Sequence, residues 1–209
     1  MNRRKFIEYS IKTIALASVP IINFFPKVNI SEDEKKLPWS SNTFKFPLEN
    51  FKLQSGEILK NAFLLVDVNG ELNQSKSNAI IFATCFAGSH KFNQMAYGIN
   101  RVLNPLKYCI ITPNLFCSGY SSSPSNTNSP QDGPRFPSVT YYDNINAQDK
   151  LISEHFGITN PLMYLGFSMG AQQAFHWGAL HGDKTGGIIP LCGTAKTTTQ
   201  NWITLEGCK

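Results

Sequence analysis

Short apolar runs alternate with helix-like stretches along most of this chain, and that alternation limits its fold more than any other feature. The runs FKFPLENFKL, NAFLLVDV and NAIIFATCF are bounded by turn residues and predict three strands, with a turn at Asn69-Gly70. A predicted helix from about Phe92 to Leu103 leads to YCIITPN, a second over 142–157 leads to LMYLGF, and AQQAFHWGALHG leads to GGIIPLC. Strands that alternate with helices form a mostly parallel sheet with helices on both faces. We therefore predict an α/β fold.

The N-terminal region has a different pattern. Arg3 and Arg4 precede an apolar stretch over 13–25 that is too short to span a bilayer comfortably. A basic head followed by a short apolar region is typical of an export signal, and the adjacent arginines are similar to the twin-arginine type. An amphipathic first helix is the alternative. We predict a signal over 1–30, a charged linker over 31–41 and a globular domain over 42–209.

Composition and charge exclude several function classes. Hydrophobic residues make up 42% of the 209, enough for one domain with a real core. The net charge of +5 is spread along the chain, which gives little support to nucleic-acid binding. The five cysteines lack the spacing of metal ligands and their number is odd, so we expect buried thiols and no zinc site.

A segment dense in serine, proline, asparagine and glycine covers residues 115–138. Structureless loops of that length are unusual inside a compact domain. The composition alone leaves two interpretations open, a flexible linker and a functional loop.

The sequence GFSMG over 166–170 matches the pattern G-x-S-x-G where a predicted strand ends and a predicted helix begins. In that context the serine occupies a strained, exposed turn, and small flanking residues let the strand and helix approach each other. We therefore interpret Ser168 as a candidate nucleophile. The alternative is a plain tight turn.

A serine that attacks an acyl group also needs donors for the developing oxyanion. The backbone amide of Met169, directly after the serine, is the first candidate. The segment ATCFAGSH follows an earlier predicted strand, and we expect it to supply the second donor through the amide of Phe86. Without Ser168 this segment would be interpreted only as a strand-to-helix turn.

Six segments follow one another between residues 50 and 207: LQSGEILKNAFLLVDVNGELN, ATCFAGSH, PNLFCSGYSSSPSN, GPRFPSVTYYDNINAQDKLISEHFGI, GFSMGAQQAFHWG and CGTAKTTTQN. In this order they resemble the homoserine acetyltransferase-like branch of the α/β-hydrolases. The resemblance implies the α/β-hydrolase fold and makes the serine-rich segment a family loop. Homoserine acetyltransferases tend to have His-Ala-Leu-Thr-Gly where this chain has TCFAG over 84–88, so it is more similar to the family's esterases.

The resemblance also exposes an absence. The family orders its triad as Ser, then Asp or Glu, then His, and the residues after Ser168 offer His176, His181, Asp183 and Glu206. His176 is eight residues into the helix, about 12 Å along its axis, and His181 is farther.

His90 lies in the predicted oxyanion loop but in the wrong order, and a packing or surface role is expected for it. We therefore expect that the triad Asp and His are not in this chain. On this interpretation the chain is the N-terminal portion of a longer enzyme, with its C-terminal strands and helices missing.

The sequence thus predicts a serine-dependent acyl-transfer enzyme, either an ester hydrolase or an O-acetyltransferase, acting on a small ester or thioester. A transferase would take its acyl group from acetyl-CoA, whereas a hydrolase needs no cofactor. Export to the periplasm favours the esterase, and membrane contact would be limited to the signal. The sequence does not decide whether the protein forms a homodimer. The 209 residues alone are expected to be inactive, and the alternative is a non-catalytic remnant or binding protein.

Overall fold

A single mixed sheet organises the computed structural model, which describes residues 37–207. Four of its strands are parallel neighbours in the order β4-β3-β5-β6, and the full order is β1-β2-β4-β3-β5-β6. The strands are β1 (Ser41–Lys52), β2 (Ile58–Asn69), β3 (Ala79–Ala83), β4 (Cys109–Pro113), β5 (Met163–Phe167) and β6 (Ile188–Leu191). The predicted mostly parallel α/β sheet is confirmed.

The first two strands are the antiparallel part of the sheet. β1 and β2 form a hairpin, and β2 in turn pairs antiparallel with β4. Gly56, at φ +91°, closes the hairpin turn, in which the amide of Leu53 donates to the carbonyl of Glu57 at 2.8 Å. A connection this short can join only antiparallel strands.

Helices cover both faces of the sheet, as predicted. They are α1 (His90–Gln94), α2 (Tyr141–Lys150, continued by a π-helical turn over Leu151–His155), α3 (Met169–His181) and α4 (Thr199–Glu206). Trp177 of α3 stacks on Tyr164 of β5, with ring centroids 4.9 Å apart, and both are fully buried. Helices α2 and α3 share this larger core, whereas α1 and the segment after it lie on the other face.

Side chains of β3 alternate between the two cores. Ile81 and Ala83 belong to the larger core, and Ile80 and Phe82 to the smaller. All five residues of the strand are buried. A strand buried on both faces is a continuous apolar run without polar alternation, which explains why its sequence was recognisable.

The helix predicted from Phe92 to Leu103 is wrong in extent, since α1 ends at Gln94. The chain then turns, and the amide of Gly98 donates to the carbonyl of Leu103 at 3.1 Å. The Asn104 side chain binds the carbonyl of Ile99 and the amide of Leu106. Such side-chain bonds compete with helical backbone bonds, and they stabilise the irregular path here.

The serine-rich segment is a packed loop and not a linker. The hydroxyls of Ser121 and Ser122 accept hydrogen bonds from the amides of Leu65 and Phe63, both at 2.9 Å. The two serines are buried. They satisfy donors of β2 at the point where its pairing with β4 ends, so the loop continues the edge of the sheet.

The predicted export signal over 1–30 lies outside the described residues, as does most of the predicted linker. The described part begins with Leu37, and β1 begins at Ser41, the last residue of that linker. Trp39 donates from its indole nitrogen to Asn69 at 3.1 Å. Within residues 37–207, none of the helices has the length and hydrophobicity of a membrane span.

Candidate active site

Ser168 occupies a sharp turn between β5 and α3. Its backbone has φ +55° and ψ −116°, in the region that L-residues rarely adopt. Its side chain makes no capping bond to the helix, although serine is a preferred capping residue. The hydroxyl is therefore left for other partners, on a half-buried side chain.

The two glycines that flank the serine leave no room for a side chain. A Cβ at Gly166 would lie 2.0 Å from the carbonyl oxygen of Gly170. A Cβ at Gly170 would lie 2.9 Å from the carbonyl oxygen of Ala83, on the neighbouring strand β3. The first glycine lets the strand and helix meet, and the second lets the helix approach the sheet.

Strand β6 holds the turn from its other side. The amide of Ser168 donates to the carbonyl of Leu191 at 2.8 Å. A Cβ at Gly193 would lie 2.7 Å from the carbonyl oxygen of Ser168 and 2.5 Å from the Cβ of Ala171. The backbone after β6 thus passes directly against the start of α3.

The segment after β3 forms a tight turn, in which the amide of Gly88 donates to the carbonyl of Cys85 at 3.0 Å. Ala87, at φ +53°, is a strained position of this turn. Phe86, at the turn's first central position, has a side chain that is 71% exposed. An apolar side chain this exposed is available for contact with a ligand.

Buried amide side chains fix the end of β3 from both faces of the sheet. Gln173 donates to the carbonyl of Thr84 at 2.8 Å. From the opposite face, Asn93 donates to the carbonyls of Phe82 at 3.0 Å and Ala83 at 3.2 Å. These bonds set where the turn containing Phe86 begins.

Gln173 ends a buried chain of hydrogen bonds that the sequence did not indicate. The hydroxyl of Tyr164 donates to Gln148 at 2.5 Å, and Gln148 donates to Gln173 at 3.0 Å. All three side chains are almost fully buried, and burial raises the pKa of Tyr164, so its hydroxyl keeps its proton. The network connects β5, α2 and α3 to the end of β3. The only sign of this network in the sequence was the presence of polar residues on an otherwise apolar helix face.

Ser168, Met169 and Phe86 line one cleft of about 690 Å³. The remaining wall is formed by α2, α3 and the segment from Cys192 to Leu205. Its polar lining consists of uncharged side chains: Tyr141, Gln172, Thr194, Thr198, Gln200, Asn201 and Thr204. No Asp, Glu, Lys, Arg or His among residues 37–207 lines this cleft.

The histidines are placed elsewhere. His90 is buried beside Asn114, with its Nδ1 3.0–3.3 Å from the amide group of that side chain, and it packs edge-on against Tyr120. This is the packing role expected for it. His176 donates from Nδ1 to the carbonyl of Gln172 at 2.9 Å, and its ring packs on Tyr141.

His181 lies against Trp177 at the far end of α3. Burial lowers its pKa from the usual value of 6.5, and its Nε2 is buried without a hydrogen-bond partner in the described part of the chain. It lies outside the Ser168 cleft, as the sequence predicted.

Among the cysteines, Cys109 is buried, which raises its pKa to about 12, and Cys85 is partly buried, which also raises its pKa. Cys117 and Cys192 are exposed, so the expectation of buried thiols is wrong for these two.

A family model for the α/β-hydrolase fold matches residues 78–206. The chain belongs to this family. This chain is 38% identical over 155 residues to an ethyl acetate hydrolase of Pseudomonas veronii. The matching segment covers 74% of this chain and 44% of that protein. The chain is 32% identical over 178 residues to a homoserine O-acetyltransferase of Methanosarcina acetivorans, covering 77% and 32% of the two chains.

The fold also matches a solved relative. An acetylester hydrolase from Corynebacterium glutamicum superposes with a TM-score of 0.77 at 34% identity, over 79% of this chain and 48% of that structure. The resemblance to homoserine acetyltransferases and esterases is confirmed. This α/β-hydrolase chain spans less than half the length of each of these three relatives.

Proposed function

We propose that this chain carries the nucleophile and oxyanion donors of an ester hydrolase, with Ser168 as the attacking residue. The observation that carries the proposal is the turn at Ser168, whose φ is +55° and whose hydroxyl does not cap α3. Strained backbone at a cleft is typical of functional residues. The family match and the esterase relatives support the same chemistry.

In the proposed reaction, Ser168 Oγ attacks the ester carbonyl, and its proton passes to a general base. The carbonyl oxygen becomes an oxyanion that accepts hydrogen bonds from the amides of Met169 and Phe86. Met169 begins α3, and the first amides of a helix have no partner within it. The alcohol leaves with a proton, and water then releases the acid from the acyl-serine.

The general base has to come from outside the residues that line the cleft, because no histidine or carboxylate is among them. The relatives are more than twice as long as the segment that matches this chain. Activity of the whole protein is therefore part of the proposal. Assays should use both this chain and a protein that includes whatever coding sequence follows codon 209.

A neutral ester fits the cleft better than the substrates of an O-acetyltransferase. Acetyl-CoA is strongly anionic and homoserine is a zwitterion, yet no charged side chain among residues 37–207 lines the cleft. Buried or half-buried charges require partners of opposite sign. Export, if it occurs, would also separate the enzyme from acetyl-CoA.

The test compares the two reactions in one preparation. We expect release of acid from ethyl acetate or ethyl butyrate, and no acetylation of homoserine from acetyl-CoA. Ser168→Ala should abolish the hydrolysis. Homoserine acetylation faster than ester hydrolysis would replace the hydrolase proposal with the transferase.

A non-catalytic binding protein is the second candidate. The absence of an acid or base among the residues that line the described cleft favours it. Ester binding without any Ser168-dependent turnover, in the chain and in its extended version, would support this candidate over the hydrolase.

We also propose that residues 1–30 direct export by the twin-arginine route. The support is the pair Arg3-Arg4 before the apolar stretch. Changing both arginines to lysine keeps the charge, so a generic basic head would still work while a twin-arginine signal would fail. Equal export of the double variant would contradict the proposal.

A further inference from the structure

Gln172 lies in the first turn of α3, four residues after Ser168, and its backbone amide donates to the carbonyl of Ser168 at 3.4 Å. Residues four apart on a helix are neighbours, about 6 Å apart along its axis. Both side chains line the same cleft. Gln172 is therefore close enough to contact a ligand that reaches the serine hydroxyl.

Tyr141 fixes the orientation of the Gln172 amide. Its hydroxyl donates to Gln172 Oε1 at 2.6 Å. Burial raises the pKa of Tyr141 to about 12, so the hydroxyl stays protonated and remains a donor near neutral pH. With Oε1 occupied in this way, Nε2 is the atom of the amide left to donate to another partner. No residue within 37–207 accepts a hydrogen bond from it.

The tyrosine itself is held from two sides. Its ring packs on His176, with ring centroids 5.0 Å apart, and His176 is anchored to the carbonyl of Gln172. Tyr141 is the first residue of α2, whose start is fixed by a capping box between Thr140 and Asp143. Asp143 also accepts a 2.6 Å bond from the amide of Gln54. The orientation of Gln172 thus depends on a helix start that several hydrogen bonds hold in place.

We propose that Gln172 is a substrate-binding residue, whose Nε2 donates a hydrogen bond to an oxygen of the substrate other than those of the scissile ester group. The preferred substrates are then neutral esters that carry a hydroxyl or keto oxygen in the acyl or alcohol part. Tyr141 is a positioning residue for this donor. The inference rests on the proposed function in one respect, namely that the ligand of this cleft is an ester.

A free amide donor on a residue that lines the cleft would favour some ligands over others. A ligand without a matching acceptor desolvates the amide and leaves it unpaired, whereas a ligand with one restores the bond. The uncharged lining gives no reason to expect a carboxylate or an ammonium group at this position.

Equilibrium binding to the Ser168→Ala protein tests the inference without turnover. The ligands are ethyl butyrate, ethyl 3-hydroxybutyrate and 2-hydroxyethyl butyrate, titrated by NMR. One hydroxylated ester should bind roughly five- to tenfold more tightly than ethyl butyrate, as expected for one added hydrogen bond. The hydroxylated ester that binds more tightly shows whether the acyl or the alcohol part faces Gln172.

Variants then assign the preference. Gln172→Met should remove it, since methionine has no amide donor, and Tyr141→Phe should weaken it by releasing the amide. Gln74→Met, at an exposed turn, is the matched control and should leave it intact. Equal binding of the three esters, or a preference that survives Gln172→Met, would overturn the inference. Failure of the hydrolase proposal would appear separately, as a missing Ser168-dependent turnover with the binding preference intact.

Discussion

The two walls of the cleft are built in contrasting ways. The serine turn, residues 166–170, is confined by neighbouring backbone: a Cβ at Gly166 or Gly170 would collide with a carbonyl oxygen within 3 Å. The outer wall, residues 194–205, is exposed at every position, and α4 buries none of its residues. Close backbone packing holds the serine turn in place, whereas a few hydrogen bonds hold the outer wall. We expect precise geometry at the serine and easy adjustment on the facing side.

The largest effect should follow from adding one methyl group to the serine turn. Gly166→Ala places a Cβ 2.0 Å from a carbonyl oxygen, and overpacking at a backbone contact should cost about 3 kcal/mol of unfolding free energy. Urea denaturation measures the loss. Gly182→Ala is the matched control, since nothing lies within 4 Å and its φ of −62° suits alanine. Equal stability of the two variants would show that neighbouring backbone does not confine the serine turn.

A smaller effect is expected beneath the turn, at Gln173. Gln173→Met keeps the volume but leaves the carbonyl of Thr84 and the amide of Gln148 without their buried partner. An unsatisfied buried group costs about 1–3 kcal/mol. Thermal or urea unfolding should show that loss, whereas Gln74→Met on the surface should change stability by less than about 0.5 kcal/mol. Unchanged stability of the Gln173→Met variant would show that the network does not fix β3.

The smallest effect should come from the outer wall. Thr198 caps α4 by accepting a 3.2 Å bond from the amide of Asn201. Thr198→Ala should cost about 1 kcal/mol of helix stability, expressed as local fraying of α4. Hydrogen exchange should speed up in residues 199–206 and stay unchanged in α3. Equal acceleration in both helices would mean that the two walls open as one unit.

The same contrast explains what the sequence could predict. Strands β3, β4 and β5 are continuous apolar runs, and the glycines around Ser168 report a local steric need, so short segments were enough to recognise both. The helix beyond Gln94 was mispredicted because the Asn104 side chain takes over backbone groups that a helix would use.

Partners distant in sequence are invisible to local patterns. The bond from Gln173 to Thr84 joins residues 89 positions apart, and the bond from Tyr141 to Gln172 joins residues 31 apart. The lining of the cleft likewise combines segments that only the folded sheet brings together. The strained turn at Ser168 was therefore predictable from the sequence, but its surroundings were not.

The central claim is that Ser168 is a nucleophile, and covalent labelling tests it most directly. A fluorophosphonate probe is applied to the protein that includes any coding sequence after codon 209, and the labelled residue is located by mass spectrometry. The account predicts a single adduct on Ser168 and none in a folded Ser168→Ala variant, because only an activated serine reacts at neutral pH. Undiminished labelling of Ser168→Ala, or a folded protein with no adduct at Ser168, would contradict it.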